Sequence, residues 1–276
     1  MLFMVINNEL IGFTKTLPVS GVARKVFTSE IAEGRYRAKI AETSAEVESA
    51  LRLRYEVFNL ELGAAPKFGN APGLDYDEYD AGCRHLIIID NATGETIGTY
   101  RINSIESAKT ARGFYAYNEF SLEDLPPEVL RQSLEVGRAC IARRHRSSKV
   151  LFLLLKALLN YLKQSNKRYF FGCCSLFTED WATGAKIFRQ FEREKLIHPT
   201  IRITPRPERA FPVNQIFADT ERLALPSLFN VYLKMGVKIC GAPAIDREFG
   251  TIDFFVIFDL AAMNEKYRRM FFRAEN

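Results

Sequence analysis

The sequence predicts an α/β fold, a sandwich on a mixed, mostly antiparallel central sheet. Strand-like runs alternate with segments whose apolar residues recur at helical spacing. One hairpin is marked by Asn91-Ala92-Thr93-Gly94 between two apolar runs. The 276 residues hold no repeat, low-complexity tract or linker rich in Gly, Ser and Pro that would divide them. The expected organisation is therefore an N-terminal extension over residues 1–40 and a single domain over 41–276.

Each element has a local reason. Arg35 to Ile40 alternates as a strand does. Thr43-Ser44-Ala45-Glu46 reads as a capping box, and Val47, Leu51, Tyr55, Phe58 and Leu62 continue it at helical spacing. Pro66, Gly69, Pro72 and Gly73 make Ala64 to Gly82 an irregular loop. His85 to Ile89 and Thr96 to Ile102 form the hairpin, and Leu134 to Ala142 is a further strand. Ser147 or Ser148 caps a helix reaching about Gln164. Tyr169 to Leu176 reads as a buried strand, Trp181 to Lys195 and Leu225 to Met235 as helices. Lys238 to Ala244 pairs with Thr251 to Leu260 as a terminal hairpin.

Hydrophobic residues at 47% and charged residues at 26% are globular values and exclude a disordered chain. The net charge of +5 is too weak alone to imply nucleic acid. Its distribution says more. Between Val136 and Thr178 nine Lys and Arg occur with no acid, whereas Glu56 to Glu95 holds eight acids and two bases. The five Cys include no C-x-x-C, and His85, His145 and His198 are scattered. Neither a disulfide framework nor a metal site is expected, and the thiols read as reduced and cytoplasmic. Met1 to Leu10 lacks the basic start of a signal peptide. The most apolar run, Val150 to Leu162, is broken by Lys156 and Asn160 and falls short of the ~20 residues of a membrane span.

Three segments carry the chemistry. Arg54, Val57 and Phe58 lie on the first helix, and Asp75, Asp77, Glu78 and Asp80 lie in the loop. Gly98 and Arg101, then Glu135 and Arg138, lie on strands. The acidic loop has two readings: a solvated surface, or a set of carboxylates folded onto the arginines. It is not an EF-hand, because the D-x-D spacing lacks the Gly and the later Glu.

In this order, Arg54-x-x-Val57-Phe58, Asp75-x-Asp77-x-Tyr79-Asp80, Gly98-x-x-Arg101 and Glu135-x-x-Arg138 resemble acyl-homoserine-lactone synthases and their relatives in the GNAT superfamily of N-acyltransferases. Asp75 stands where the synthases carry Glu. Gly113-Phe114-Tyr115, Glu135 to Cys140, Phe171-Gly172-Cys173 and the run from Cys240 to Asp253 are more similar to ornithine N-acyltransferases of ornithine-lipid synthesis. The resemblance spans roughly residues 40 to 270. It implies a GNAT-like fold and transfer of a long, often 3-hydroxylated, fatty acyl group from acyl carrier protein to the α-amine of an amino acid. Ornithine is the favoured acceptor and a lyso-aminolipid the product. An N-acyl glycine synthase, a lactone-signal synthase and a non-catalytic module binding acyl carrier protein stand as alternatives. No bound cofactor is implied; acyl-phosphopantetheine, or acyl-CoA, is the donor substrate.

An amine attacks a thioester only when neutral, so a carboxylate must take its proton directly or through water. Glu135, flanked by Leu134 and Val136, is the candidate base; its alternative is a structural ion pair with Arg138 or Arg101. Asp77 and Asp80 are expected to orient Arg101, Arg138 and the amine. Arg54, Phe58, Asp75, Phe171 and Cys173 are the candidate substrate contacts. Arg143, Arg144, Arg146, Ser147, Ser148 and Lys149 precede or open a helix, where free N–H groups favour a phosphate. Acetyl-CoA users show a Gly-rich turn there and this chain does not, which suits a single phosphopantetheine phosphate. The basic window is then a docking face for an acidic carrier protein, or else a solvated helix start. Lys156, Lys163, Lys167 and Arg168 offer peripheral contact with the inner face of a membrane. The Phe surplus either lines an acyl tunnel or is plain core, and Trp181 is a lid or a core residue. Cys173-Cys174 has no His or acid paired with it in sequence, so direct transfer is expected.

Overall fold

A short strand, β1 (Ile31–Glu33), turns back at Gly34 into β2 (Tyr36–Ile40). Gly34 has φ 61°, a left-handed conformation that favours glycine in a tight hairpin. The computed structural model describes residues 30–63, 73–213 and 222–272. Residues 1–29 of the expected extension, and 64–72 of the expected loop, lie outside the described residues.

The Thr43–Glu46 cap forms in both directions and opens α1 (Ser44–Arg54), and the chain then passes into a π-helical turn over Tyr55–Glu61. The expected single helix to Leu62 is thus two. β3 (Arg84–Asp90) and β4 (Thr96–Ser104) form the hairpin, followed by the short α2 (Ile105–Ala108) and α3 (Pro127–Arg131). Then come β5 (Ser133–Ile141), α4 (Ser148–Gln164) capped by Ser147, β6 (Tyr169–Leu176) and α5 (Trp181–Arg193) capped by Asp180. The chain ends with α6 (Ser227–Met235), β7 (Lys238–Ile239), β8 (Ala244–Asp246), β9 (Thr251–Asp259) and α7 (Glu265–Phe272). β1, α2, α3 and α7 were not legible in the sequence; all four are short.

The described residues fall into two compact units, one made of those within 30–114 and 134–167 and the other of those within 115–133 and 168–272. In the first, β1 to β5 form an antiparallel run in sequence order. Val47 and Ala50 of α1 pack on Ile87 and Ile89, so Leu86 and Ile88 point to the opposite face of β3. All four are buried, which is why the strand reads as unbroken Leu and Ile rather than as alternation.

In the second unit β9 is paired antiparallel by β6 along one edge and by β7 and β8 along the other. The expected terminal hairpin is therefore a strand facing two short pieces. Gly241 lies between them at φ 130°, where a Cβ would stand 2.5 Å from the Ile203 carbonyl oxygen, and Pro243 brings no N–H to the ladder. Among the described residues, most of the Phe surplus of this unit is core. Phe191, Phe229 and Phe254 cluster with centroids 5.1–6.0 Å apart, Phe254 meeting the other two edge to face, and Phe171 stacks on Phe255 at 5.5 Å. Phe177 and Trp181 are the departures, at 45% and 37% exposed, so Trp181 is not core.

Candidate active site

Arg54 ends α1 and is fully buried, so its guanidinium must find its charge partners inside the protein. It finds two. Nε donates to Asp75 Oδ1 at 2.9 Å and Nη1 to Asp80 Oδ1 at 2.6 Å, while Nη2 also reaches both carboxylates. Arg101 of β4 donates from Nη1 to Asp77 Oδ1 at 2.5 Å and to Asp80 Oδ1 at 3.2 Å. Arg138 of β5 lies 3.3 Å from Asp77 Oδ2 and 3.4 Å from Asp75 Oδ1. The acidic loop is thus folded onto the three arginines and is not a solvated surface.

The backbone holds this set in place. Asp80 Oδ2 accepts the Asp77 N–H at 2.8 Å, Asp77 Oδ1 accepts the Tyr79 N–H at 3.0 Å, and the Asp75 N–H donates to the Leu51 carbonyl at 3.1 Å. Arg138 reaches the loop from a bulge. The β4–β5 register runs Thr99 to Cys140 but Arg101 to Gly137, and Arg138 between them has φ 48°, strained for a side-chain-bearing residue. Its guanidinium lies 6.0 Å from the ring centre of Phe58, which is buried beside Leu53, Val57 and Cys140.

Burial pushes the carboxyls of Asp75 and Asp80 up, but Arg54 with Arg138 and Arg101 outweighs it, and both lie below the usual carboxylate range. Burial likewise opposes the charge of Arg101, and Asp77 and Asp80 overcome it. Held ionised so firmly, Asp75 and Asp80 are poor proton acceptors at neutral pH and good positioning groups.

Glu135 lies on β5 opposite Asn103 and is 7% exposed. Burial raises the Cys83 thiol, and the charges of Asp80, Glu135 and Asp77 add to that. Cys174 is pushed up to about 12 by burial, so it is a protonated thiol rather than a nucleophile. None of the five cysteines is in a disulfide. Phe171 and Cys173 lie on β6 in the second unit, Phe171 in the stack described above.

His85 of β3 is the residue that sequence reasoning missed. It is 2% exposed, neither ring nitrogen has a hydrogen-bond partner, and Nε2 lies 3.8 Å from Asp80 Oδ1. Its position within an apolar strand was the available signal. Burial lowers its pKa to about 4, with Asp80 opposing and the two arginines assisting. The unfolded chain binds that proton near pH 6.5, so between pH 6.5 and 4 it holds more protons than the folded chain. Stability is therefore expected to fall as the pH drops through that window, by up to about 3 kcal/mol. Urea unfolding of His85→Gln at several pH values checks this, because the variant should lose that part of the slope.

The basic segment is less one-signed in space than in sequence. Of its nine cations, Arg138 meets Asp75 and Asp77, Arg144 meets Glu95, Arg146 meets Glu61, Lys167 meets Glu106 and Arg168 meets Asp259. Arg146 also donates to the Ile141 carbonyl at 2.9 Å, so it braces the π-helical turn rather than facing outward alone. Arg143 and Lys149 are exposed, and Ser147 caps α4 by accepting the Val150 N–H at 3.4 Å. Ser148 is the first residue of α4.

Residues 53–156, which hold the arginine–aspartate network and the first part of the basic segment, match the acetyltransferase (GNAT) domain. The chain has the GNAT fold and is an acyltransferase. It is 29% identical over 247 residues to the L-ornithine N(alpha)-acyltransferase of Rhodobacter capsulatus, covering 86% of this chain and 95% of that one. To the enzyme of the same name from Brucella abortus it is 29% identical over 248 residues, covering 85% and 88%. Among solved structures, the AHL synthase LasI is similar with a TM-score of 0.48 at 15% identity, covering 86% of this chain and 94% of that one.

Proposed function

We propose that residues 41–276 act as one acyltransferase domain that moves a long fatty acyl group from the phosphopantetheine thioester of acyl carrier protein to the α-amine of ornithine. The product is a lyso-aminolipid. The observation that carries the acceptor is the similarity along nearly the whole length to enzymes named for that reaction. In this reading Glu135 takes a proton from the α-ammonium, directly or through water. The freed amine attacks the thioester carbonyl, the C–N bond forms, the C–S bond breaks, and the thiolate leaves with a proton as the thiol. Arg101, Arg138, Asp77 and Asp80 hold the geometry in which this happens. Arg54, Asp75 and Phe58, expected from the sequence to contact substrate, are 0%, 2% and 1% exposed and are assigned instead to supporting that set. Phe171 and Cys173 are assigned to the acyl substrate.

The donor phosphate is assigned to Arg143, Lys149, Ser147, Ser148 and the first N–H groups of α4, because Arg144 and Arg146 already have carboxylate partners. The same face receives the acidic carrier protein, and the enzyme works in the cytoplasm at the inner face of the membrane that takes its product. Among the described residues no helix is long and apolar enough to cross a membrane.

Mass spectrometry of lipids from a host expressing the chain tests the acceptor. A new N-acyl ornithine is expected, and an N-acyl glycine or a lactone in its place would overturn the assignment. For the donor, Arg143→Glu with Lys149→Glu is expected to raise KM for acyl carrier protein about tenfold at low salt and less at high salt. Equal activity of the unaltered chain with acyl-CoA and acyl carrier protein would overturn the docking reading.

A further inference from the structure

Three acids far apart in sequence meet inside the second unit. Glu119 follows the short turn at Tyr115–Asn118, Asp246 ends β8, and Asp253 lies on β9. One carboxylate oxygen from each lies within 4.8 Å of the other two. The residues are 1%, 2% and 2% exposed. The pleat explains the two aspartates: Asp246 pairs with Thr251, and Asp253 two residues on points to the same face.

Asp246 and Asp253 are firmly held. Asp246 Oδ1 accepts from Arg209 Nη1 at 2.9 Å and from the N–H groups of Glu248 and Phe249 at 2.9 and 3.4 Å. Asp253 accepts the hydroxyls of Ser175 and Thr251, the latter at 2.7 Å. Glu119 has no comparable support. Both its carboxylate oxygens are buried without a hydrogen-bond partner, with the weak thiol donor of Cys173 alongside. A buried carboxylate left in that state is expensive, and Arg209 brings one positive charge against three acids. An orphaned carboxylate facing two anchored ones is relieved by taking up a proton, towards which burial pushes Glu119, or by a bound cation.

We propose that Glu119, Asp246 and Asp253 hold a hard divalent cation, Mg²⁺, Mn²⁺ or Ca²⁺, that ties the β8–β9 edge to the segment after Tyr115–Asn118. Carboxylates are the ligands such ions take, at about 2.1–2.5 Å, which sets the oxygens about 3–5 Å from one another. An alkylammonium would suit the charge but needs room for its carbon chain as well, whereas a metal ion needs only the space between the three acids. The site lies wholly within the second unit, and its existence does not depend on which acyl group or acceptor the enzyme uses.

The test uses the full chain, stripped with EDTA and desalted. Thermal unfolding is followed with millimolar MgCl₂, MnCl₂ or CaCl₂ against NaCl at matched ionic strength, and bound ions are counted by elemental mass spectrometry. At least one of the three ions is expected to raise Tm by several degrees, saturably, at one ion per chain. Glu119→Gln and Asp253→Asn, near-isosteric changes, should lose both the rise and the bound ion. No rise beyond that of NaCl, or an equal rise in both variants, overturns the proposal. So does a rise produced by L-ornithine or putrescine with none from the metals, which would give the site to an alkylammonium. Should a variant not fold, the titration and ion count of the unaltered chain decide alone.

Discussion

Glu135→Gln is expected to lower kcat by about 10²–10⁴-fold while leaving the fold and the binding of acyl carrier protein intact. The amide keeps the size and most of the packing of a side chain that is 7% exposed, but it cannot accept a proton. The loss should therefore appear in turnover, with KM for the carrier protein nearly unchanged. The neighbouring carboxylates cannot take over at neutral pH, because Arg54 and its fellow arginines hold Asp75 and Asp80 ionised well below that range. Steady-state rates with acyl carrier protein, alongside a binding measurement on the same sample, check this. Near-normal turnover in the variant would remove Glu135 as the base and leave it as a structural partner of the strands.

Arg54→Met is expected to lower stability by about 3–5 kcal/mol, the cost of removing one partner from a buried ion-pair network. The side chain is fully buried and bonds to both Asp75 and Asp80, so its loss strands two carboxylates where water cannot reach them. Urea unfolding measures the change, and the double variant Arg54→Met with Asp75→Asn should recover part of it, since one of the stranded charges is gone. The acid limb should change too. In the unaltered chain the two aspartates are depressed, so the stability they contribute is present above their unfolded value near 3.9 and lost as the pH falls through and below it. Without Arg54 that loss should shrink. An Arg54→Met protein as stable as the parent would mean that Arg101 and Arg138 suffice for all three acids.

Local chemistry was legible in the sequence where a single segment decides it. The Thr43–Glu46 cap, the hairpin around Asn91 to Gly94 and the helix start at Ser147 all follow from residues a few positions apart. The arginine–aspartate network was legible as a pattern of spacing, although not which oxygen meets which nitrogen. What escaped depends on distant partners. Glu61, Glu95, Glu106 and Asp259 neutralise cations in a window that contains no acid of its own. Glu119 lies more than a hundred residues from the two aspartates it meets, so counting Cys and His for a metal site could not find the oxygen cluster. The π-helical turn after Arg54 and the positive φ of Arg138 are backbone irregularities set by packing, and apolar periodicity carries no sign of them.

The three arginines and the three aspartates of the acidic loop also cancel. A set of equal and opposite charges packed within hydrogen-bonding distance has no net charge, and its field dies away much faster than that of a lone ion. At physiological ionic strength, with a Debye length of about 8 Å, an approaching molecule does not sense it until contact. Long-range attraction must then come from groups such as Arg143 and Lys149, so the salt dependence of kcat/KM for the carrier protein, at saturating acceptor, reports the encounter with the donor. Ionic strength thereby becomes a dial for docking that leaves the chemistry of the interior untouched.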